Sequence, residues 1–454
     1  MAWDDRKVSA SNLCSTNTRK SEKCSSSCHT SPPLHGLLIL NRVDESQRLL
    51  WSCVILVVVI ISSYFMYHVL YDYFTNGTTT RLTVKQNATL LFPSIHICPK
   101  NPDHLNYDVL FRDITRRLGN LSMEVKADIL LYFIAGTGFQ NTNVEEWSAV
   151  YRDSVRKLVT RWMGERSMLT MFKFVFDENG LQCSDILANC TPISCCEYFR
   201  PYYVMSRGRC FRLDNYYQKG GGSSHSLRLN FKHTKGLING GAAQKQVVVH
   251  FGDEYPDISK YPRIYITDND YGTVKFKLRK VSMMRMRENC TTDPLSRGRY
   301  TCYLSRWLQE KIIEPFNCTL PHLRNVTISR GYNICSPHVI VSHYGDIMSS
   351  ATLKNKCILN CERWDLFFDL YTNWHRKDNA FRLDLSYRDL SYEEYVEIEM
   401  LSLPSFISQI GGQLGLFLGT SIISLIHLTC YLLTKITEVR LRVKILVKDR
   451  SIDF

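Results

Sequence analysis

The sequence predicts a membrane protein of mixed α+β class, with two transmembrane helices flanking a large disulfide-rich ectodomain. Three observations carry this reading. Two apolar stretches, Trp51–Tyr71 (21 residues) and Met400–Thr434 (35 residues), contain no formally charged side chain, and about 20 helical residues suffice to cross the ~30 Å hydrocarbon core. All seven N-x-S/T sequons, at Asn76, Asn87, Asn120, Asn189, Asn289, Asn317 and Asn325, fall between the two stretches and none lies outside them, the distribution of a segment exposed to the secretory pathway. Twelve of the 17 cysteines lie in the same interval, an even number consistent with up to six disulfides in an oxidising compartment.

The elements follow in chain order. Residues 1–48 form a cytosolic tail whose first thirty residues are rich in Ser, Thr, Asn and Lys and show no periodicity, so a disordered segment is expected. Cys14, Cys24 and Cys28 would need a fourth ligand beyond His29 to hold zinc. His35-Gly36 reads locally as an ordinary turn. Residues 49–71 are the first span, beginning too far from Met1 and running too long for a cleaved signal peptide. Two spans put both tails on one side. The basic residues of Lys435–Arg450, six against two acidic, make that side cytosolic.

Residues 72–402 are the ectodomain, long enough to bury a sizeable core. Leu90–Cys98 reads as extended chain with a proline at its edge. Val109–Ala135 and Val144–Met163 place apolar residues at helical spacing, for instance Leu110, Ile114 and Leu118. From Met171 to about Lys280 the pattern changes to short β-type runs such as Leu227–Phe231, Val247–Phe251 and Ile264–Ile266. Gly220-Gly221-Gly222 and Gly240-Gly241 supply loops between them. Cysteines 290 to 361 staple a further helical or loop-rich section that includes the amphipathic Tyr303–Ile313. Tyr395–Met400 then alternates with period two, a strand leading to the second span.

The second span, residues 403–433, is followed by a cytosolic tail at 434–454. The uncharged stretch around it is too long for one straight crossing. It carries Gly411, Gly412, Gly415 and Gly419 together with Ser408, Gln409, Gln413, Thr420, Ser421 and Ser424. Hydroxyls and amides are costly against lipid, so this helix is expected to line water or an ion. Gly411, Gly415 and Gly419 share one helical face, and the plain alternative is a small-residue packing seam.

Charge and motifs exclude other classes. The net charge of +13 divides into +2 over residues 1–50, +3 over 434–454 and +8 spread through the glycosylated middle, so there is no basic block of the nucleic-acid type. No nucleophile elbow, HExxH or phosphate loop is present, and no metal or other cofactor is expected. The chain does not read as an enzyme.

The order His35-Gly36, a span, Phe92-Pro93-Ser94-Ile95-His96-Ile97-Cys98, Gly208–Asn215 with Leu227–Asn230, and finally Gly411–Ser421 resembles the degenerin/epithelial sodium channel family over nearly the whole chain. The Gly411-Gly412-Gln413-Leu414-Gly415-Leu416 block with Gly419-Thr420-Ser421 is its most specific part. The resemblance implies a trimeric, sodium-permeable, amiloride-type channel at the plasma membrane, with β-sheet palm and β-ball and a helical finger and thumb. It implies that Gly419, Thr420 and Ser421 form the selectivity filter and that Ser408 is the position where bulky residues hold the pore open. It further implies that Gly411, Gly412, Gly415 and His427 line the pore, that His35 and Gly36 belong to a cytosolic gating segment, and that Cys98 pairs with Cys210. His427 departs from the family, which commonly has an inner-pore acid there. Glu393, Glu394, Glu397 and Glu399 would form an outer ring of carboxylates, or else a solvated strand face. Partners would be lipid and sister subunits in a homo- or heterotrimer, with Na+ as permeant ion. The gating ligand, peptide or small molecule, stays open. Alternatives with a similar layout are a trimeric ligand-gated channel of purinergic type and a two-span scavenger-receptor-like lipid-binding protein.

Overall fold

The computed structural model describes residues 44–75, 77–238, 241–252, 263–284, 290–292, 299–349, 357–374, 381–419 and 421–449. They divide into two compact units, one formed by residues 1–78 with 399–454 and one by residues 79–398.

The strands run, in chain order, β1 (Thr78–Gln86), β2 (Leu90–Leu91), β3 (Ser94–Pro99), β4 (Leu187–Thr191), β5 (Phe199–Val204), β6 (Gly208–Leu213), β7 (Tyr217–Gln218), β8 (Leu227–Phe231), β9 (Gln246–Gly252), β10 (Arg263–Thr267), β11 (Asp270–Ser282), β12 (Cys318–Thr319), β13 (Asn333–Ile334), β14 (Glu362–Trp374) and β15 (Arg382–Glu399). One sheet has the order β14-β11-β15-β8-β4, with β1 also on β15; the second has the order β10-β9-β3-β6-β5. The inward residues of the two sheets share one core, in which Ile95, Ile97, Val249 and Phe251 meet Leu229, Phe276, Leu385 and Tyr387. Alternation of side chains across each strand produces that shared face.

The Phe92-Pro93 pair separates β2 from β3, since proline cannot donate to a ladder. Helical turns occur at Met168–Phe172, across the start of the region expected to carry short β-type runs, and at Cys183–Ile186 and Cys195–Tyr198 inside it. Ser167 accepts the Thr170 N–H and so starts the first of them. The Cys183–Cys196 and Cys190–Cys195 disulfides close the other two into a tight knot. β14 has no counterpart among the sequence expectations, because its acidic, basic and aromatic residues break any clean alternation. Its place comes from antiparallel pairing with β11 along all 13 residues.

Helices Tyr107–Leu118, Met123–Gly136 and Ala149–Met163 begin at Asn106, Ser122 and Ser148, whose side chains accept from the backbone N–H three residues on. Their core includes Leu110, Ile114, Phe133 and Trp162. A buried carboxylate locks it: Asp113 accepts from Trp162 Nε1 at 2.9 Å, from an Arg166 guanidinium N–H at 2.8 Å and from Arg116 at 2.7 Å. Burial pushes the Asp113 carboxyl up, but Arg166, Trp162 and Arg116 together outweigh it and hold the group below the usual carboxylate range. A third core gathers Leu304, Trp307, Leu308, Ile312 and Leu320 beneath the Arg299–Leu308 helix. Six disulfides close the fold: Cys98–Cys210, Cys183–Cys196, Cys190–Cys195, Cys290–Cys361, Cys302–Cys357 and Cys318–Cys335. The sequon asparagines at 87, 120, 189, 317 and 325 are all exposed, while Asn76 and Asn289 lie outside the described residues.

His322 gives the fold a pH dependence. Its ring lies 4.8 Å from Phe139. Part of the residue reaches solvent, yet both ring nitrogens are shielded and without a hydrogen-bond partner, and burial lowers its pKa from 6.5 to about 3. The unfolded chain therefore takes up the proton first, and stability is lost as pH falls below the unfolded value. One such histidine costs about 2 kcal/mol by about pH 5. His322→Phe should flatten the acid side of the thermal-unfolding curve relative to the parent chain, and parallel curves would contradict this origin.

Candidate functional site

The unit formed by the two chain ends is built on the Glu45–Phe74 helix. Among the described residues, its Gln47–Phe74 stretch is the one helix long and apolar enough to cross a membrane. Most of its large apolar side chains, Leu50, Leu56, Val57 and Ile60 among them, are exposed. A 28-residue apolar helix that keeps these groups on its outside fits a lipid surround rather than a soluble core.

The second apolar segment is not one helix. It comprises Leu403–Leu418 and Ile422–Asp449, separated at Gly419. The first piece packs antiparallel on the Glu45–Phe74 helix, because Tyr73 stacks on Phe406 at 3.9 Å and Phe65 on Phe417 at 5.9 Å. At the base of the pair, Met400 N–H donates to Gly77 C=O at 2.8 Å. Pro404 sits in the first turn, where its missing N–H costs no hydrogen bond.

The break is written in stop and start signals. Gly419 has φ 62° and ψ 20°, the left-handed conformation that glycine adopts without a Cβ penalty, and its N–H reaches back to Gly415 C=O at 3.1 Å. Ser421 then starts the next helix: its Oγ accepts the Ser424 N–H at 3.2 Å, while Ser424 Oγ accepts the Ser421 N–H at 3.4 Å. Thr420, between them, lies outside the described residues. So do His35, Gly36 and the side chain of His427, whose backbone belongs to the Ile422–Asp449 helix.

The Leu403–Leu418 helix has two faces. Phe406, Ile410, Leu414 and Phe417 are half-buried, whereas Ser408, Gly411, Gly412 and Gly415 are exposed. These four recur at i, i+3, i+4 and i+7 and form one stripe. A Cβ placed on Gly411 or Gly412 would meet nothing within 4 Å. Nothing in the described chain therefore requires glycine at either position.

The acidic group on β15 differs from an unpaired set of carboxylates. Parallel pairing of β11 with β15 sets Arg279 opposite Glu393 and Lys280 opposite Glu394. Glu393 meets Lys277 at 2.5 Å and Arg279 at 3.5 Å; Glu394 meets Lys85 at 2.5 Å and Lys280 at 3.2 Å. Lys277 holds the Glu393 carboxyl, and Lys85 the Glu394 carboxyl, below the ordinary glutamate range. Glu397 accepts the Met284 N–H at 2.9 Å, and Glu399 is exposed. The strand register thus brings basic residues more than a hundred positions away onto two of the four acids. Sequence spacing carried no signal for those partners.

The "Amiloride-sensitive sodium channel" family model matches residues 27–431. The chain belongs to this family. Membership makes it a cation channel rather than an enzyme and implies a two-span membrane protein that assembles as a trimer; the purinergic and scavenger-receptor alternatives fall. The bile acid-sensitive ion channel of Mus musculus is 23% identical over 456 residues, covering 89% of this chain and 86% of that protein. Acid-sensing ion channel 1B of Danio rerio is 27% identical over 103 residues, 22% of this chain and 18% of that protein. A cryo-EM structure of a proton-activated chloride channel aligns over 88% of this chain and 99% of its own with 8% identity and a TM-score of 0.30, which carries no argument.

In this member of the amiloride-sensitive sodium channel family, the two glycines without neighbours are directly testable. Gly411→Ala and Gly412→Ala should each raise the helix's intrinsic stability by roughly 0.5–1 kcal/mol and yet reduce the trimer fraction seen by chemical cross-linking. An unchanged trimer fraction for both would show that neither glycine makes a packing contact that assembly needs.

Proposed function

We propose that this chain is one subunit of a sodium-permeable, amiloride-blocked cation channel, gated through the 79–398 domain. The observation that carries the reading is the helix break at Gly419 at the end of a stripe of small residues that the chain itself does not need. A helix leaves its last carbonyls without intrahelical partners. In hydrocarbon such groups must be satisfied by protein, water or an ion. Three copies around an axis would bring the carbonyls and hydroxyls of Gly419, Thr420 and Ser421 into a ring able to replace part of a small cation's hydration shell. Ser408, Gly411, Gly412 and Gly415 would line the wider approach, with His427 further along as a neutral or partly protonated lining residue.

The antiparallel packing through Phe65–Phe417 and Tyr73–Phe406 supports a topology with both ends cytosolic and the glycosylated domain outside. Ser408 stands exposed on the stripe, so a bulky side chain there would wedge neighbouring helices apart. His35-Gly36 would contribute to the cytosolic gate.

The test is heterologous expression in oocytes under two-electrode voltage clamp. Ser408→Phe should give a standing inward current roughly tenfold above the parent, lost when sodium is replaced by a large organic cation and blocked by amiloride. Surface-labelled Ser408→Phe protein that passes no current would overturn the reading.

A further inference from the structure

An open cavity of about 670 Å³ borders the six-stranded sheet, and much of its wall is apolar and aromatic. Leu278 on β11 pairs with Leu366 on β14 and with Tyr392 on β15, so these three side chains stand in one row across the sheet. Trp364, two residues from Leu366 on β14, shares their face. The Trp364 and Tyr392 rings lie 5.1 Å apart at 62°, and both residues are half-buried. Arg212, Asp214 and Asn215 add a polar margin, where the Arg212 guanidinium donates to the Asp214 carboxylate at 2.9 Å. The volume falls in the range of sites that enclose small organic molecules.

One lining residue is a sequon asparagine. Asn87, in Asn87-Ala88-Thr89, is exposed and borders the cavity together with Thr89. Its position is set by β15. Between its pairings with Phe276 and Leu278 that strand advances from Tyr387 to Tyr392, so it carries extra residues on β11 there. Within this irregular stretch Leu390 C=O accepts the Asn87 N–H at 3.0 Å, two residues before Tyr392. The attachment point of a sugar is thereby held beside an aromatic wall. The other described sequon asparagines, at 120, 189, 317 and 325, do not line this cavity.

The chemistry of an N-linked glycan suits that wall. Transfer from a lipid-linked sugar diphosphate joins C1 of the first N-acetylhexosamine to Asn87 Nδ2; the amide loses a proton and the diphosphate leaves. Such a ring presents a face of C–H bonds that packs on the negative face of an indole or phenol, while its hydroxyls and acetamide take hydrogen bonds. Covalent attachment at the rim raises the local concentration to that of a short tether and avoids much of the association entropy that a free ligand loses. We infer that this cavity seats the glycan carried by Asn87, its first sugars packed on Trp364 and Tyr392 with their polar groups toward Arg212, Asp214 and Asn215. Seated there, the glycan ties the β1–β2 connection to β14, the edge strand of the sheet. The inference rests on the proposed topology, in which the 79–398 domain lies outside the cell.

The test is site-resolved deglycosylation of the full chain, purified from a glycosylating host into lipid nanodiscs. A peptide N-glycosidase acting in heavy-oxygen water converts each released asparagine to a labelled aspartate, and peptide mass spectrometry times release at Asn87 against the exposed Asn325. Native release at Asn87 should be roughly tenfold slower than at Asn325, taken relative to the same ratio in the reduced, denatured chain. Trp364→Ala combined with Tyr392→Ala should abolish that protection while leaving the Asn325 rate unchanged. Trp364→Phe with Tyr392→Phe, which keeps a flat face at each position, should preserve it. An absence of protection in the unmutated chain would overturn the proposal without reference to any variant. So would protection that survives the alanine pair, which would place the shielding elsewhere, or a bare Asn87 in a chain whose Asn325 carries glycan. Glycan at neither site would refute the topology itself, and the seat with it.

Discussion

A backbone that leaves the helix inside hydrocarbon must find partners for its amide and carbonyl groups, and lipid offers none. In the proposed topology Gly419 imposes that demand on this chain. Its left-handed φ of 62° ends the Leu403–Leu418 helix, and Ser421 starts another within two residues. The single chain answers part of the demand through the Gly419–Gly415 hydrogen bond and the Ser421–Ser424 pair. In the proposed pore the remainder would fall to other copies, water or ions, consistent with membership of a cation-channel family that assembles as a trimer. The exposed face of Ser408, Gly411, Gly412 and Gly415 follows the same logic, since close approach is useful only to something outside the chain.

The ectodomain solves a different problem. Two sheets share one apolar core, two helical clusters have their own, and six disulfides restrict the unfolded chain. Two of its buried carboxylates have well-defined partners. Asp113 joins Trp162, Arg166 and Arg116, while Asp103 anchors the 237–238 backbone. The ion pairs of Glu393 and Glu394 tie β15 to β11 and β1 but are too exposed to contribute much stability each. Their clearer consequence is electrostatic: the charges of these two acids are offset by basic partners.

Much of the architecture was legible because it is written locally. Apolar length marked the Glu45–Phe74 helix, and the even cysteine count of the middle segment matched its six disulfides. Gly419 and Ser421 are stop and start letters that can be read without coordinates. What could not be read depends on register and long-range closure. β14 is defined by its pairing with β11, not by its own alternation. Lys277 and Lys280 reach Glu393 and Glu394 only because two distant strands lie parallel. Lys100, Arg207 and Arg263 are ordinary basic residues until the fold brings them around Tyr265.

The measurement that bears most directly on the account is thiol accessibility along the Leu403–Leu418 helix in assembled channels, in a background whose non-disulfide cysteines are serine. Cysteines placed singly at Ser408, Gly411, Gly412 and Gly415 should react with a small charged thiol reagent, and those at Phe406, Ile410, Leu414 and Phe417 should stay protected by the first helix. Protection at all eight positions, or reaction confined to the second set, would contradict a water-filled path along the glycine face.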